Sequence, residues 1–296
     1  MLSNFTTNTH YRPQRVKIKN TDLSKVDFFK LFVTWLKRVS IVTKPFWFLD
    51  MTEMKEVDVD SSFALTHLTE LESLSLIGTL TTRFAQIEIA WFPPQLQHFK
   101  FERGVNDLTC EIPSIQEFLD YFPFLLVLEL EGVRSNVFQE QKKEITKEKK
   151  YALRKMIVTT STSNFVASIH SLYYFQSLVR LETLAISTGD TILNLECLPC
   201  SLTHLELSLW GNRSRKSGEP FNVLVDPADP DKDTTSLNIH HLTNLTTLSI
   251  QDASLSIVDA LTDLHKLTKV TLDGCTLADV RFLAPLFSTL KTFFFE

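Results

Sequence analysis

The sequence predicts an α/β solenoid in which short parallel strands stack into a single sheet of about twelve strands. The first observation is a six-residue phrase with apolar residues at its first, fourth and sixth positions, which recurs along the 296-residue chain. The second is the spacing of most phrases, about 20 to 29 residues, which is the length of one solenoid coil. Alternate side chains of a strand share a face, so the fourth and sixth positions predict a common interior.

The phrases account for nearly the whole chain. Burial of three apolar groups contributes about 1.5 to 3 kcal/mol per group, whereas ordering the backbone costs about 1 to 2 kcal/mol per residue. A single coil is therefore unstable, and neighbouring coils must stack. The anchors of the phrases are Pro13-Val16-Ile18, Leu36-Val39-Ile41, Met54-Val57-Val59, Leu71-Leu74-Leu76, Leu96-Phe99-Phe101, Leu125-Leu128-Leu130, Leu153-Met156-Val158, Leu181-Leu184-Ile186, Leu202-Leu205-Leu207, Leu245-Leu248-Ile250, Leu267-Val270-Leu272 and Leu290-Phe293-Phe295.

This pattern resembles the leucine-rich repeat. The resemblance implies a horseshoe with the parallel sheet on the concave face and irregular turns or helices on the convex face. It covers residues 1–296 as one solenoid, with a polar segment at 1–12 and an inserted loop at 210–236. The repeats are divergent and irregular: residues 240–250 (HHLTNLTTLSI) resemble the internalin class, and residues 197–208 (CLPCSLTHLELS) are similar to the Leu-Pro type.

The ninth position of each repeat departs from the family pattern. Asparagine usually stands there and bridges adjacent turns, but this chain has residues such as Ser161, Gly189 and Cys275. Hydroxyl and thiol groups can replace part of that bridging. The 23 phenylalanines further indicate that phenylalanine replaces leucine in parts of the core.

Three segments between strands have apolar residues at helical spacing. Residues 114–122 begin with a serine suited to an N-cap and place Ile115, Phe118, Leu119 and Phe122 on one face. Residues 24–36 and 163–175 follow the same design. We interpret all three as amphipathic helices lying on the ladder, with a partner-binding or membrane helix as the alternative.

Composition limits the class of protein. The formal charge of −5 argues against a nucleic-acid-binding protein, which normally has a basic excess. No apolar run approaches the ~18 residues of a membrane span, and the N-terminal residues are polar where a secretory signal is apolar. The sequence therefore predicts an intracellular, cytoplasmic protein without a membrane partner.

The four cysteines predict neither disulfides nor a cofactor. They are too few and too scattered for a disulfide framework. Cys197 and Cys200 lack the second cysteine or histidine pair of a structural zinc site. We expect free thiols, no metal and no cofactor.

The loop at 210–236 carries a basic and then an acidic cluster. We interpret it as a solvated loop, with a docking loop on the binding face as the second reading. A calcium loop is a third, but Thr234 replaces the required glycine and His240 the bidentate glutamate. Its candidate contact residues are Arg213, Arg215, Lys216, Asp229 and Asp231.

The variable strand positions predict the residues of the concave face. Charge is segregated there, since the first turns are basic, the third is acidic and Glu129 and Glu131 follow in the middle. An extended protein partner with an acidic end and a basic middle would match this order; a purely solubilising surface is the alternative. The candidate partner-binding residues are Arg15, Lys17, Lys19, Lys37, Arg38, Asp58, Lys100, Glu129 and Glu206.

Catalysis has little support in the sequence. The eight histidines are scattered, and no phosphate-binding glycine loop or nucleophile motif is present. His204 and Glu206 come nearest to an acid–base pair, but two residues apart on one strand they are expected to be ordinary surface neighbours. We predict no catalytic residue and no enzyme activity.

The last phrase predicts exposed apolar residues. Terminal turns of a solenoid normally need a polar cap, and this strand consists of Phe293, Phe294 and Phe295 after a lysine and a threonine. We expect an intermolecular contact or a continuation of the chain at this edge.

These observations favour a non-catalytic scaffold that binds a protein through its concave face. One alternative is the substrate-recognition part of a ubiquitin-ligase-type or effector enzyme whose catalytic segment lies elsewhere. Another is an accessory subunit of a large ribonucleoprotein assembly, in which the basic first turns contact phosphates. No aromatic interleaving supports base stacking, so nucleic acid is otherwise not expected.

Overall fold

The chain forms two compact units, Met1–Gly132 and Val133–Glu296. The computed structural model describes residues 15–19, 38–42, 66, 69–78, 88–103, 112–133, 135–138, 151–160, 173–188, 195–208, 239–251, 254–255, 261, 263–277, 286 and 288–295. Each unit contains a ladder of parallel strands that follow one another in chain order.

The first unit contains five strands of the ladder. They are β1 (Arg15–Lys19), β2 (Arg38–Val42), β3 (Ser73–Gly78), β4 (His98–Arg103) and β5 (Val127–Val133), which reaches the boundary of the unit. Every neighbouring pair is parallel and in register, with Arg38 opposite Ser73 and His98 opposite Val127.

The second unit contains six strands of the ladder and a separate short pair. The ladder strands are β6 (Lys155–Thr160), β7 (Thr183–Ser187), β8 (His204–Ser208), β9 (Thr247–Gln251), β11 (Lys269–Asp273) and β13 (Thr292–Phe295). The short strands β10 (Ser254–Leu255) and β12 (Thr276–Leu277) pair in parallel. Leu255, which follows β9, lies opposite Leu277, which follows β11.

Alternation along the strands builds the core. In β5 the inward residues Leu128 and Leu130 are fully buried, while Glu129 between them is partly exposed. In the second unit the fourth positions are in register from β7 to β11 and are at most 1% exposed; they are Leu184, Leu205, Leu248 and Val270. The spacing therefore specifies the interior as predicted.

Phenylalanine fills the core of the first unit. The ring centroid of Phe99 on β4 lies 5.4 Å from that of Phe92 and 5.1 Å from that of Phe118. Phe118 in turn lies 6.1 Å from Phe122. These large rings occupy the space between strand and return segment, which confirms the predicted replacement of leucine.

The helix predicted at 114–122 is present as α1 (Ile115–Tyr121). Ser114 Oγ accepts the backbone N–H of Glu117 at 3.3 Å, and the Glu117 carboxylate accepts the backbone N–H of Ser114 at 2.8 Å. This capping box starts the helix, and its face of Ile115, Phe118 and Leu119 is buried. The return segments elsewhere in the described residues include single 3₁₀ turns at Ile89–Trp91, Ser135–Phe138, Tyr173–Ser177 and Leu195–Cys197.

Successive phrases are joined by a repeated backbone contact. The carbonyl of the second residue in a phrase accepts two consecutive N–H groups of the next phrase, as Glu72 does from Gln97 and His98, both at 2.9 Å. In the second unit the same contact joins Arg154 to Glu182 and Thr183, Glu182 to Thr203 and His204, Thr203 to Thr246 and Thr247, Thr246 to Thr268 and Lys269, and Thr268 to Lys291 and Thr292. This contact fixes where each strand begins, which keeps the inward positions aligned.

Several expectations need correction or lie outside the described residues. The ladders contain eleven strands among the described residues, against about twelve predicted, and the strand predicted at Val57–Val59 lies outside the described residues. Of the helix predicted at 163–175, only the last three residues are described, and they belong to the 3₁₀ turn Tyr173–Ser177. Residues 163–172 and the helix predicted at 24–36 lie outside the described residues. The segments 1–12 and 210–236 also lie outside it, and one solenoid from end to end stays a prediction.

Polar groups bridge adjacent turns at the eighth position as well as at the ninth. Thr160 Oγ1 lies 3.3 Å from Thr188 Oγ1, and both residues are buried one position before the ninth. At the ninth position itself, Cys275 Sγ donates to the Ile250 carbonyl at 3.4 Å. Hydroxyl and thiol groups thus replace part of the asparagine ladder.

Candidate partner-binding face

The strand residues between the inward positions form the outer face of each unit, which is the face that the sequence predicts to be concave. In the first unit, register places Ser75, Lys100 and Glu129 in one row across β3, β4 and β5, and Glu102 beside Glu131 in the next. Because each strand is anchored by buried neighbours on both sides, these polar side chains have a fixed spacing of about 4.8 Å per strand.

One ammonium group and three carboxylates converge on this face. We call Lys100, Glu102, Glu129 and Glu131 the Lys100 patch. Lys100 Nζ donates to Glu131 Oε1 at 2.7 Å and lies 3.3 Å from Glu102 Oε2 and 3.9 Å from Glu129 Oε2. The four side chains remain 19% to 39% exposed, so solvent and a partner reach them.

The environment of Lys100 keeps it charged. Partial burial lowers the pKa of its ammonium group, but the hydrogen bonds to Glu131 and Glu102 and the attraction of both carboxylates outweigh this effect. The net result is a pKa above the ordinary lysine value. Lys100 is therefore a permanent cation at neutral pH.

The sequence identified only part of this patch. Lys100, Glu129 and Glu131 were predicted for the concave face. The structure places all three on the outer face of β4 and β5, with Lys100 opposite Glu129, and their role in binding stays a prediction. Glu102 was missed, although it follows Lys100 by two residues on the same strand and alternation puts it on the same face. The convergence of Glu102 and Glu131 on Lys100 depends on the register between strands, which one phrase does not reveal.

The outer face of the second unit has a mostly uncharged middle row. Its middle row, from β6 to β13, consists of Ile157, Ala185, Glu206, Ser249, Thr271 and Phe294. Glu206 is exposed as predicted, and Gln251 Nε2 donates to Asp273 Oδ2 at 3.2 Å in the row below. Glu206 is the only charged residue of this described middle row.

His204 contacts the hydroxyl group of its neighbour in the chain. Its Nδ1 lies 2.8 Å from Thr203 Oγ1, and both His204 and Glu206 are exposed on the strand surface. Within the part of the chain that the structure describes, no group of three or more His, Cys, Asp or Glu residues could hold a metal ion. No described helix has the length and apolar character needed to cross a bilayer.

The Cys197–Cys200 segment packs against the next turn. Cys197, Cys200 and Cys275 are free thiols, with Cys200 exposed and the other two buried. Asn244 Nδ2 donates to the Cys200 carbonyl at 2.9 Å, and His241 Nε2 lies 3.0 Å from the Leu198 carbonyl. These contacts are structural bridges between turns.

The phenylalanines of β13 are exposed. Phe293 and Phe295 lie in register with Val270 and Leu272, which are buried, yet they are 41% and 51% exposed. Phe294 on the outer face is 48% exposed. The contact predicted at these three residues stays a prediction.

The remaining predicted contact residues lie on β1 and β2 or outside the described residues. Arg15, Lys17 and Lys19 lie on β1, and Arg38 lies on β2. Seven further candidates lie outside the described residues; they are Lys37, which directly precedes β2 in the chain, Asp58, Arg213, Arg215, Lys216, Asp229 and Asp231.

The repeated phrase, the parallel ladders and the dry inner positions define the class of fold as a leucine-rich repeat in each unit. No protein-family model and no curated protein matches the sequence. An internalin (InlF) from Listeria monocytogenes is similar in structure, with a TM-score of 0.48 and 16% identity over 93% of this chain and 71% of its own. Human 5T4 is similar with a TM-score of 0.45 and 16% identity, over 88% of this chain and 77% of its own. TLR13 in complex with ssRNA13 is similar with a TM-score of 0.44 and 17% identity, over 94% of this chain and 40% of its own.

Proposed function

We propose that this chain is a non-catalytic scaffold that binds a protein partner through the outer face of its strands. The observation that carries the proposal is the Lys100 patch, in which four charged side chains from two strands are held in fixed positions and remain exposed. Polar groups arranged this way select a partner by charge and position.

The described fold supports binding. Among the described strand residues, inward positions are occupied by apolar packing, and outward positions offer polar side chains and carboxylates. Such a face suits contact with an extended partner, because each additional strand adds outward side chains at a constant inter-strand distance.

Affinity capture followed by mass spectrometry tests the proposal with matched charge reversals. One variant reverses the patch (Glu129→Lys with Glu131→Lys), and a second reverses the face of the other unit (Glu206→Lys with Lys269→Glu). The controls, Glu70→Lys and Asp263→Lys, reverse exposed residues in turns. We expect at least one face variant to lose a protein that the wild type and both controls retain.

The captured proteins separate the alternatives. A dedicated partner lost only from face variants supports the scaffold. Ubiquitin-ligase components would favour the substrate-recognition role, and ribosomal or other ribonucleoprotein components would favour the accessory subunit. Equal capture by every variant would contradict binding through the strand face.

A further inference from the structure

The proposed function does not specify the charge of the partner segment, and the Lys100 patch indicates which charge that segment carries. Two carboxylates of the patch, those of Glu102 and Glu131, contact the same ammonium group, so the charges of these three side chains do not balance. An ammonium group has three N–H donors, whereas each carboxylate offers about four acceptor sites. Lys100 therefore uses only part of the acceptor capacity around it.

The carboxylates are directed so that a second cation can reach them. The side chains of Glu102 and Glu131 are 39% and 36% exposed, more than the 30% of Lys100. On the neighbouring strand β3, register places the short side chains of Ser73 and Ser75 beside His98 and Lys100. The short serine side chains of β3 therefore leave room for a partner segment to cross that strand and reach the glutamates of β4 and β5.

We propose, building on the function above, that the Lys100 patch binds an extended segment of the partner protein that carries arginine or lysine. Lys100 holds the carboxylates in place in the free protein, and the incoming cation shares them. Arginine fits better than lysine, since its planar guanidinium group offers five donors and pairs with a carboxylate through two parallel bonds.

This arrangement predicts opposite effects for the two signs of charge in the patch. Removal of Lys100 frees acceptor capacity and adds one net negative charge, so a basic segment binds more tightly. Removal of a glutamate charge does the reverse. An acidic partner would require the opposite result, in which Lys100 is the attractive group.

Fluorescence anisotropy with two labelled peptides tests the proposal on the full chain. One probe alternates arginine with serine and the other alternates glutamate with serine. We expect the arginine probe to bind the wild type at low ionic strength and to lose affinity as salt is added. Because exposed charge pairs contribute modestly, we expect Lys100→Gln to raise its affinity about two- to fivefold, and Glu102→Gln with Glu131→Gln to lower it by a similar factor.

Matched variants separate the patch from the overall acidity of the protein. Glu70→Gln removes one negative charge from an exposed turn and is expected to leave the affinity close to that of the wild type. Lys100→Arg keeps the cation and is also expected to behave like the wild type. Circular dichroism of each variant verifies the fold.

The inference would be overturned if the arginine probe failed to bind the wild type, or if all variants bound this probe with equal affinity. It would also be overturned if Lys100→Gln lowered the affinity for the arginine probe and the wild type bound the glutamate probe more tightly than the arginine probe. Each of these results would leave the capture experiment intact. A partner lost on charge reversal of the second unit would then still support the scaffold function.

Discussion

His241 shows how a single residue between two turns responds to its surroundings. Its Nε2 lies 3.0 Å from the Leu198 carbonyl, which can only accept, so this nitrogen carries the proton and donates. Burial lowers the pKa of the imidazole and the neighbouring His240 lowers it further, while the Leu198 carbonyl and Glu196 act in the opposite direction. Burial prevails, and the pKa lies below the ordinary histidine value.

The sign of that pKa shift predicts a loss of stability in acid. A base whose pKa is lowered by folding contributes stability above its ordinary pKa, and that contribution is lost as the pH falls through the lowered value. We expect His241→Gln, which retains a donor for Leu198, to lose less free energy of unfolding than the wild type between about pH 7.5 and about pH 5.5. Urea titrations at both pH values measure this difference.

The matched control is His265→Gln, because His265 is an exposed histidine in the same unit. It is expected to keep the full acid sensitivity of the wild type. If His241→Gln lost as much stability in acid as the wild type does, burial of this imidazole would not be the cause.

Among the elements, α1 depends on the capping box at its first turn. Ser114 is 8% exposed, and its Oγ both accepts the Glu117 backbone N–H at 3.3 Å and donates to the Glu117 carboxylate at 3.0 Å. Ser114→Ala removes both contacts and leaves a backbone donor unsatisfied. We expect it to lower the free energy of unfolding by about 0.5 to 2 kcal/mol, measured by urea titration.

Ser114→Thr retains the hydroxyl group and serves as the comparison for this prediction. It is expected to lie closer to the wild type than Ser114→Ala does. Equal stability of the alanine variant and the wild type would mean that Glu117 and solvent satisfy the first turn without the serine.

The elements also show what the sequence could predict. The strands and α1 were found because their signals are local: apolar alternation at Leu128 and Leu130 for a strand, and a serine suited to an N-cap before a helical apolar face for α1. The same alternation does not determine the pairing, in which β2 lies directly beside β3. Which strand pairs with which is decided by packing between distant residues, and a six-residue phrase contains no such information.

The candidate site was harder to predict for the same reason. Lys100 and Glu129 were recognised as outward residues, but the distances of 2.7 and 3.3 Å from Lys100 Nζ to Glu131 and Glu102 follow from inter-strand register and side-chain geometry. Register in turn follows from the carbonyl contacts that begin each strand, as between Gln97 and Val127. Backbone contacts of this kind are independent of residue type and leave no mark in the sequence.

At the scale of the whole molecule, stability in a repeat fold is approximately a sum of each repeat and its contacts with the two neighbours. Leu248 on β9 and Phe293 on β13 occupy the same position of the phrase. Leu248 is fully buried between β8 and β11, whereas Phe293 pairs only with β11 among the described strands and is 41% exposed. Truncation to alanine at the two positions therefore compares a site between two described strands with a site beside one.

We expect Leu248→Ala to lower the free energy of unfolding by about 2 to 5 kcal/mol, because it leaves a cavity in a dry interior. Phe293→Ala removes a larger side chain but is expected to cost less, since nearly half of that side chain already contacts solvent. Urea titrations followed by circular dichroism at two protein concentrations compare the variants. If Phe293→Ala cost as much as Leu248→Ala, and the cost grew with protein concentration, Phe293 would be covered by another molecule in solution, which is the contact that the sequence predicts at this edge.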